Sequence, residues 1–208
     1  MIIVAEGISA AGKTTFASQF GEGRWLPEIP VKAQRPPDDA PAREHAKFWA
    51  DNNAARFQMA IQIEREHGFV ICDTDPLKIH YAWCMERAGF DWPDRFELAA
   101  QEVRRAISEE RLGFADLYLV KRIDEAAVRS QKEGDVTRRR SNFDQHLALQ
   151  PHLIDWFAAM SRSLPGHVRF GFPNMADLLK ETEQRGAKRS RYRFDVGAFD
   201  RLIEALPA

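Results

Sequence analysis

The chain has 208 residues, 44% of them hydrophobic, enough for one globular domain with a sizeable core. Charged residues make up 29% yet leave a formal net charge of only -1, which gives no basis for wholesale attraction to nucleic acid or an anionic membrane. Apolar runs are too short to cross a bilayer, no cleavable leader is expected before the first strand, and Cys72 and Cys84 lack metal-like or redox-like spacing, so a soluble cytoplasmic protein is expected.

Met1–Ala5 reads as a short buried strand. It feeds Gly7-Ile8-Ser9-Ala10-Ala11-Gly12-Lys13-Thr14, after which Thr14–Phe20 reads as the first turns of a helix. Gly21-Glu22-Gly23 breaks the chain, Leu26–Val31 is a weak strand interrupted by Pro27 and Pro30, and residues 36–41 form a loop. Phe48, Trp49, Phe57, Ala60 and Ile61 recur at helical spacing, which predicts a helix over Ala42–Glu66 ended by Gly68. Phe69–Cys72 is a fully apolar strand with Asp73-Thr74-Asp75-Pro76 at its carboxyl end. Helices over Leu77–Ala88 and Phe96–Arg111 lead to a buried strand at Leu117–Val120. A helix over Asp124–Lys132, an Arg-rich stretch, a helix over Phe143–Ser161, a strand at Val168–Phe172 and a helix over Phe194–Leu206 complete the order. Alternating β and α segments imply a parallel sheet covered on both faces, with ligands bound beyond the carboxyl ends of its strands.

The segment after the first strand matches G-x-x-x-x-G-K-[ST] at every fixed position. Glycines let such a loop curl so that successive N–H groups point at an anion. Gly7, Ser9, Ala10, Ala11, Gly12, Lys13, Thr14 and Thr15 are therefore the expected nucleotide-binding residues. Lys13 is expected to reach the β- and γ-phosphates of ATP, and the Thr14 hydroxyl to hold Mg²⁺. A carboxylate just after an apolar strand can hold the same Mg²⁺ or take a proton from an attacking hydroxyl, and Asp73 stands there with both roles open. Asp75 is either a second acid at the substrate or the cap of the helix that follows.

Glu6-Gly7 opening the loop, Arg56-Phe57-Gln58 on the long helix, and Val70-Ile71-Cys72-Asp73 together resemble the P-loop kinases of nucleosides and nucleotides, thymidylate and deoxynucleoside kinases above all. The resemblance implies a three-layer P-loop NTPase fold over 1–208, ATP and Mg²⁺ as cofactors, Asp73 as base or metal partner, and Gln58 and Arg56 at the substrate. Thr74 stands where those families carry Arg, and Asp-Thr-Asp is similar to the ribosylnicotinamide kinases. The likeness covers the nucleotide core well and the substrate half loosely.

Lys121-Arg122 ends the fourth strand, Arg129 follows on a helix, and Thr137-Arg138-Arg139-Arg140 comes next. This order resembles the lid of such kinases, here about 133–142, with Arg138 and then Arg129 and Arg140 as candidates to stabilise the transferring charge. His80 is a candidate for the substrate cavity, beside Tyr81. Lys188–Arg193 reads as a solvated loop after a helix, or as a contact to nucleic acid phosphates. The expected activity is transfer of the γ-phosphate of ATP to a small nucleoside- or nucleotide-like acceptor. An ATPase that drives a partner and a kinase acting on nucleic acid are the alternatives, and a homodimer is the default assembly.

Overall fold

The structure is a computed structural model that describes residues 1–28, 35–90, 95–124, 147–185 and 190–207. Five strands, β1 (Ile2–Glu6), β2 (Trp25–Leu26), β3 (Val70–Asp73), β4 (Leu117–Val120) and β5 (Val168–Phe170), form one sheet in the order β2-β3-β1-β4-β5. Every pairing is parallel. The helices are α1 (Lys13–Ser18), α2 (Ala42–His67), α3 (Ile79–Arg87), α4 (Arg95–Ser108), α5 (Gln150–Ser163), α6 (Met175–Arg185) and α7 (Val196–Glu204).

Strand residues alternate between two cores, as a period of two requires. Ile2, Val4, Val70, Cys72, Tyr118 and Val120 face a large cluster built with Phe57, Trp83, Ile107, Trp156 and Phe199. Ile3, Ala5, Ile71, Leu117 and Leu119 face a smaller one built with Phe16, Phe20 and Leu178. Both faces of the sheet are thus covered, and the central strands read as unbroken apolar runs for that reason.

Most expected elements stand within a few residues of their place, and β4 has the expected bounds. The β2 strand is only two residues long, because Pro27 lacks the N–H to continue the ladder. Helix α6, whose bounds the sequence pattern does not give, has Leu178 as its one fully packed apolar residue. Residues 125–132 of the helix expected over Asp124–Lys132 and the start of the one over Phe143–Ser161 lie outside the described residues.

The amino end of the sheet is closed by buried charge. Arg193 donates to both Glu64 oxygens and to Asp116 Oδ2, each at 2.7 Å. Asp116 also accepts the N–H groups of Ile2 at 2.6 Å and Ser190 at 2.7 Å. The amino nitrogen of Met1 lies 2.7 Å from Glu64. The basic run is therefore not uniformly a solvated loop: Arg193 is a buried structural cation, and Arg191 stacks on the Tyr192 ring at 4.7 Å. Lys188 and Arg189 lie outside the described residues.

Burial alone disfavours the charged form of Glu64, but the hydrogen bonds from Arg193 and Met1 hold its pKa below the usual carboxylate value. A depressed carboxylate pKa adds stability that is full above about pH 5 and is lost as pH falls through the folded value. Arg193→Met leaves Glu64 and Asp116 buried without their cation, and is expected to cost about 3–5 kcal/mol at pH 7, read from urea denaturation midpoints. The variant is also expected to lose less stability than the wild type on going from pH 6 to pH 3.

Candidate functional site

The register of the sheet sets the site. Ala5 pairs with Asp73 across β1 and β3, and Glu6 pairs with Val120 across β1 and β4. The chain leaving β1 therefore emerges between the carboxyl ends of β3 and β4. It turns at once into a loop in which Ala10 has φ 71°, Gly12 has φ 80° and the Ala11 N–H donates to Ile8 at 3.1 Å. A Cβ at Gly7 would stand 2.7 Å from the Ala11 Cβ and 2.9 Å from the Lys121 carbonyl oxygen, so only glycine fits there. The first α1 hydrogen bond runs from Phe16 to Gly12 and no side chain caps the helix, which leaves the N–H groups of Gly12 to Thr15 without intrahelical partners.

These residues border a cavity of about 760 Å³. Gly7, Ser9, Ala10, Ala11, Gly12, Lys13, Thr14 and Thr15 all line it, as does Asp73. Lys13 bends back over the loop, its ammonium donating to Gly7 at 2.7 Å and Ile8 at 3.2 Å. The Thr14 hydroxyl donates to Asp73 Oδ2 at 2.6 Å. That bond joins the loop to the acid at the end of β3.

Behind this pair lies a buried polar cluster. Glu6 accepts the Gly7 N–H at 2.8 Å on one oxygen and the Asp75 N–H at 2.9 Å on the other. His80 Nε2 is 3.4 Å from Glu6, and His80 Nδ1 is 4.0 Å from Asp75 Oδ2. Burial lowers the His80 pKa further than Glu6 raises it, so the imidazole is neutral at pH 7. Burial, with the Glu6 charge, pushes Asp75 up to about 8 against the hydrogen bond from the Leu77 N–H. That bond, at 2.9 Å, closes a local turn two residues on, ahead of α3, and Asp75 does not line the cavity. Neither reading open for this acid is met: it does not face the cavity, and α3 has Lys78 at its N-cap with no side-chain cap bond.

Two other expected substrate contacts stand elsewhere. Arg56 is buried and spends its guanidinium on carbonyl oxygens: Thr74 at 2.9 Å, Asp73 at 2.5 Å, and Leu26 and Pro27 at 3.3 Å. It joins the ends of β2 and β3 rather than facing the cavity. Gln58, two residues on and so about 200° around the helix, donates to the carbonyls of Glu110 at 3.3 Å and Arg111 at 2.8 Å. Its amide closes a turn after α4. His80 does line the cavity, beside Tyr81. Arg129, Arg138 and Arg140, with the lid at about 133–142, lie outside the described residues.

The cavity wall also holds residues that pattern reading missed. Glu28, just past β2, forms an ion pair with Lys78, and both line the cavity. Burial pushes the Glu28 carboxyl up, but the Lys78 ammonium, helped by the charges of Lys13 and Arg56, holds it below its usual value and ionised at pH 7. Its signal was an acid beyond the carboxyl end of a strand, masked by the weakness of that strand. Cys84, Leu149 and Leu153 supply an apolar part of the wall. Leu149 and Leu153 lie four residues apart at the start of α5 and share a face that could equally serve a core.

No protein-family model matches the chain, and no curated protein matches it. No described helix is long and apolar enough to cross a membrane.

The buried Asp75 gives a pH signature. Between about pH 4 and pH 8 the unfolded chain has released a proton that the folded chain keeps, so stability falls with rising pH across that window, by on the order of 1 kcal/mol per unit. Asp75→Asn preserves the oxygen that accepts from Leu77 and removes the titration. Its stability relative to wild type is expected to grow steadily from pH 5 to pH 8 in urea melts; a constant difference would contradict the assignment.

Proposed function

We propose that the chain is an ATP-dependent phosphotransferase that moves the γ-phosphate of ATP to a hydroxyl of a small, nucleoside-like molecule. The observation that carries this reading is the Thr14–Asp73 contact at the mouth of the glycine loop. It brings an ammonium-bearing anion loop and a strand-end acid to one cavity, and the chain departs β1 in the manner of the P-loop NTPases it resembles.

The loop amides and Lys13 bind the phosphates, for which the Lys13 ammonium exchanges its two carbonyl partners. The Thr14 hydroxyl and the Asp73 carboxylate are hard oxygen donors within hydrogen-bond reach of each other, a set that suits Mg²⁺. Bound there, Mg²⁺ would supply neutralisation of phosphate charge. Asp73 commits one oxygen to the Thr14 hydroxyl on the metal side, and Glu28, with one oxygen paired to Lys78, presents its other to the same cavity as part of an ionised carboxylate. We assign Glu28 the proton of the attacking hydroxyl and Asp73 the metal side. Of the two ammonium groups that the described residues place on the cavity wall, Lys13 serves the phosphate donor and Lys78 is matched by Glu28, so neither is left for a second phosphate, which favours an uncharged hydroxyl as the acceptor group. The apolar stretch of Cys84, Leu149 and Leu153 suits the body of such a molecule.

The reading as a nucleic acid kinase loses one residue of its support. It rested on the Lys188–Arg193 run, and Arg193 is committed to Glu64 and Asp116 at the opposite end of the sheet from the cavity.

The test is a panel of nucleosides, nucleotides, sugars and amino alcohols incubated with γ-labelled ATP and Mg²⁺. A labelled phosphate ester of an uncharged alcohol is expected. With that acceptor, Glu28→Gln is expected to lower kcat by about 10²- to 10⁴-fold while ATP affinity measured by calorimetry stays within a factor of about two. Asp73→Asn is expected to weaken the dependence of turnover on Mg²⁺. Absence of heat on titrating ATP into the wild type would end this reading.

A further inference from the structure

The glycine loop has a second basic neighbour. Lys121 follows β4, and its N–H donates to the Glu6 carbonyl at 2.8 Å. Its own carbonyl oxygen lies 2.9 Å from where a Cβ on Gly7 would stand, and its ammonium 4.0 Å from where a Cβ on Gly12 would stand. The residue therefore runs alongside the loop from the first glycine of the motif to the last. Its ammonium rests over the ring of Phe172, 5.5 Å from the centroid. Phe172 in turn stacks on Phe16 of α1, with centroids 4.5 Å apart and planes 23° off parallel. Phe16 is packed in the smaller core, so the two rings form a fixed platform under the charge.

Among the described residues no carboxylate pairs with Lys121, whereas Lys78, the other basic residue near the cavity besides Lys13, is matched by Glu28. A lysine held on an aromatic face keeps its charge uncompensated, and a charge beside a loop of inward N–H groups acts on the same anion as they do. We propose that Lys121 is a second cation of the glycine loop, which strengthens binding of a nucleoside polyphosphate from beside Gly12. It flanks the loop without lining the cavity, so it is a positioning and electrostatic residue and not a catalytic one. The proposal rests on the reading of the cavity as a triphosphate site and adds a determinant of donor affinity that the sequence motif does not contain.

The test uses the full chain and calorimetric titration of ATP and AMP into wild type, Lys121→Met and Lys121→Arg at two salt concentrations. Methionine keeps most of the stem on Phe172 and removes the charge. Lys121→Met is expected to weaken ATP binding about tenfold and AMP binding less, and to make ATP affinity less sensitive to salt. Its melting temperature without nucleotide is expected to stay within about 2 °C of wild type. Lys121→Arg is expected to restore ATP affinity to within about threefold. If the wild type binds ATP and Lys121→Met binds it equally well, the role of Lys121 is wrong and the triphosphate reading survives. If methionine and arginine lose ATP and AMP binding alike, Lys121 acts through packing and the proposal falls. If the wild type binds no ATP, the triphosphate reading falls and takes this proposal with it.

Discussion

The Glu6 carboxylate is shared between the N–H of Gly7 and the N–H of Asp75, so the loop after β1 and the turn after β3 cannot move independently. Nearly everything at the candidate site is hung from that sharing. It fixes where the loop begins relative to the strand end that carries Asp73, and it holds the Thr14 hydroxyl and the Asp73 carboxylate within bonding distance. A buried carboxylate is costly unless its oxygens are satisfied, and two backbone donors with His80 alongside do this. The neutral imidazole and the largely protonated Asp75 behind it keep further charge out of the interior.

A second cross-tie comes from Arg56. Its guanidinium gathers carbonyl oxygens from the ends of β2 and β3, which brings Glu28 to the same cavity as Asp73. Just past β3, Thr74 adopts φ 75°, a left-handed conformation unusual for a β-branched residue and worth about 1–3 kcal/mol of strain. It persists because its N–H donates to Ala5 at 3.0 Å and its carbonyl accepts from Arg56. The strained residue lines the cavity, where a fixed backbone is useful and a relaxed one would let the two acids drift apart.

Much of this frame was legible in the sequence because its signals are local. An apolar run such as Leu117–Val120 can only be buried, and a fixed glycine-lysine spacing curls a loop whatever surrounds it. Asp73 was legible as an acid on a strand end. What escaped were facts about faces. Arg56 and Gln58 lie on one helix, and nothing in their spacing says which turns toward a cavity; in the event neither does. Arg193 sits in a run of basic residues that reads as solvated, yet its partners Glu64 and Asp116 are 129 and 77 residues away. Glu28 was hidden by Pro27 and Pro30, which made its strand look doubtful, although two residues of ladder suffice to aim it.

The charge network at the amino end of the sheet also constrains the order of assembly. Glu64 and Asp116 sit where the first strand and the long helix meet, and each waits for a guanidinium encoded far downstream. Until that part of the polypeptide arrives, two acids face an interior that repels their charge, so the amino end of the sheet stays hydrated and loosely closed. Closing so long a loop is an entropically slow event. A nascent chain would carry both acids of this network well before the cation that seals the amino end of its sheet.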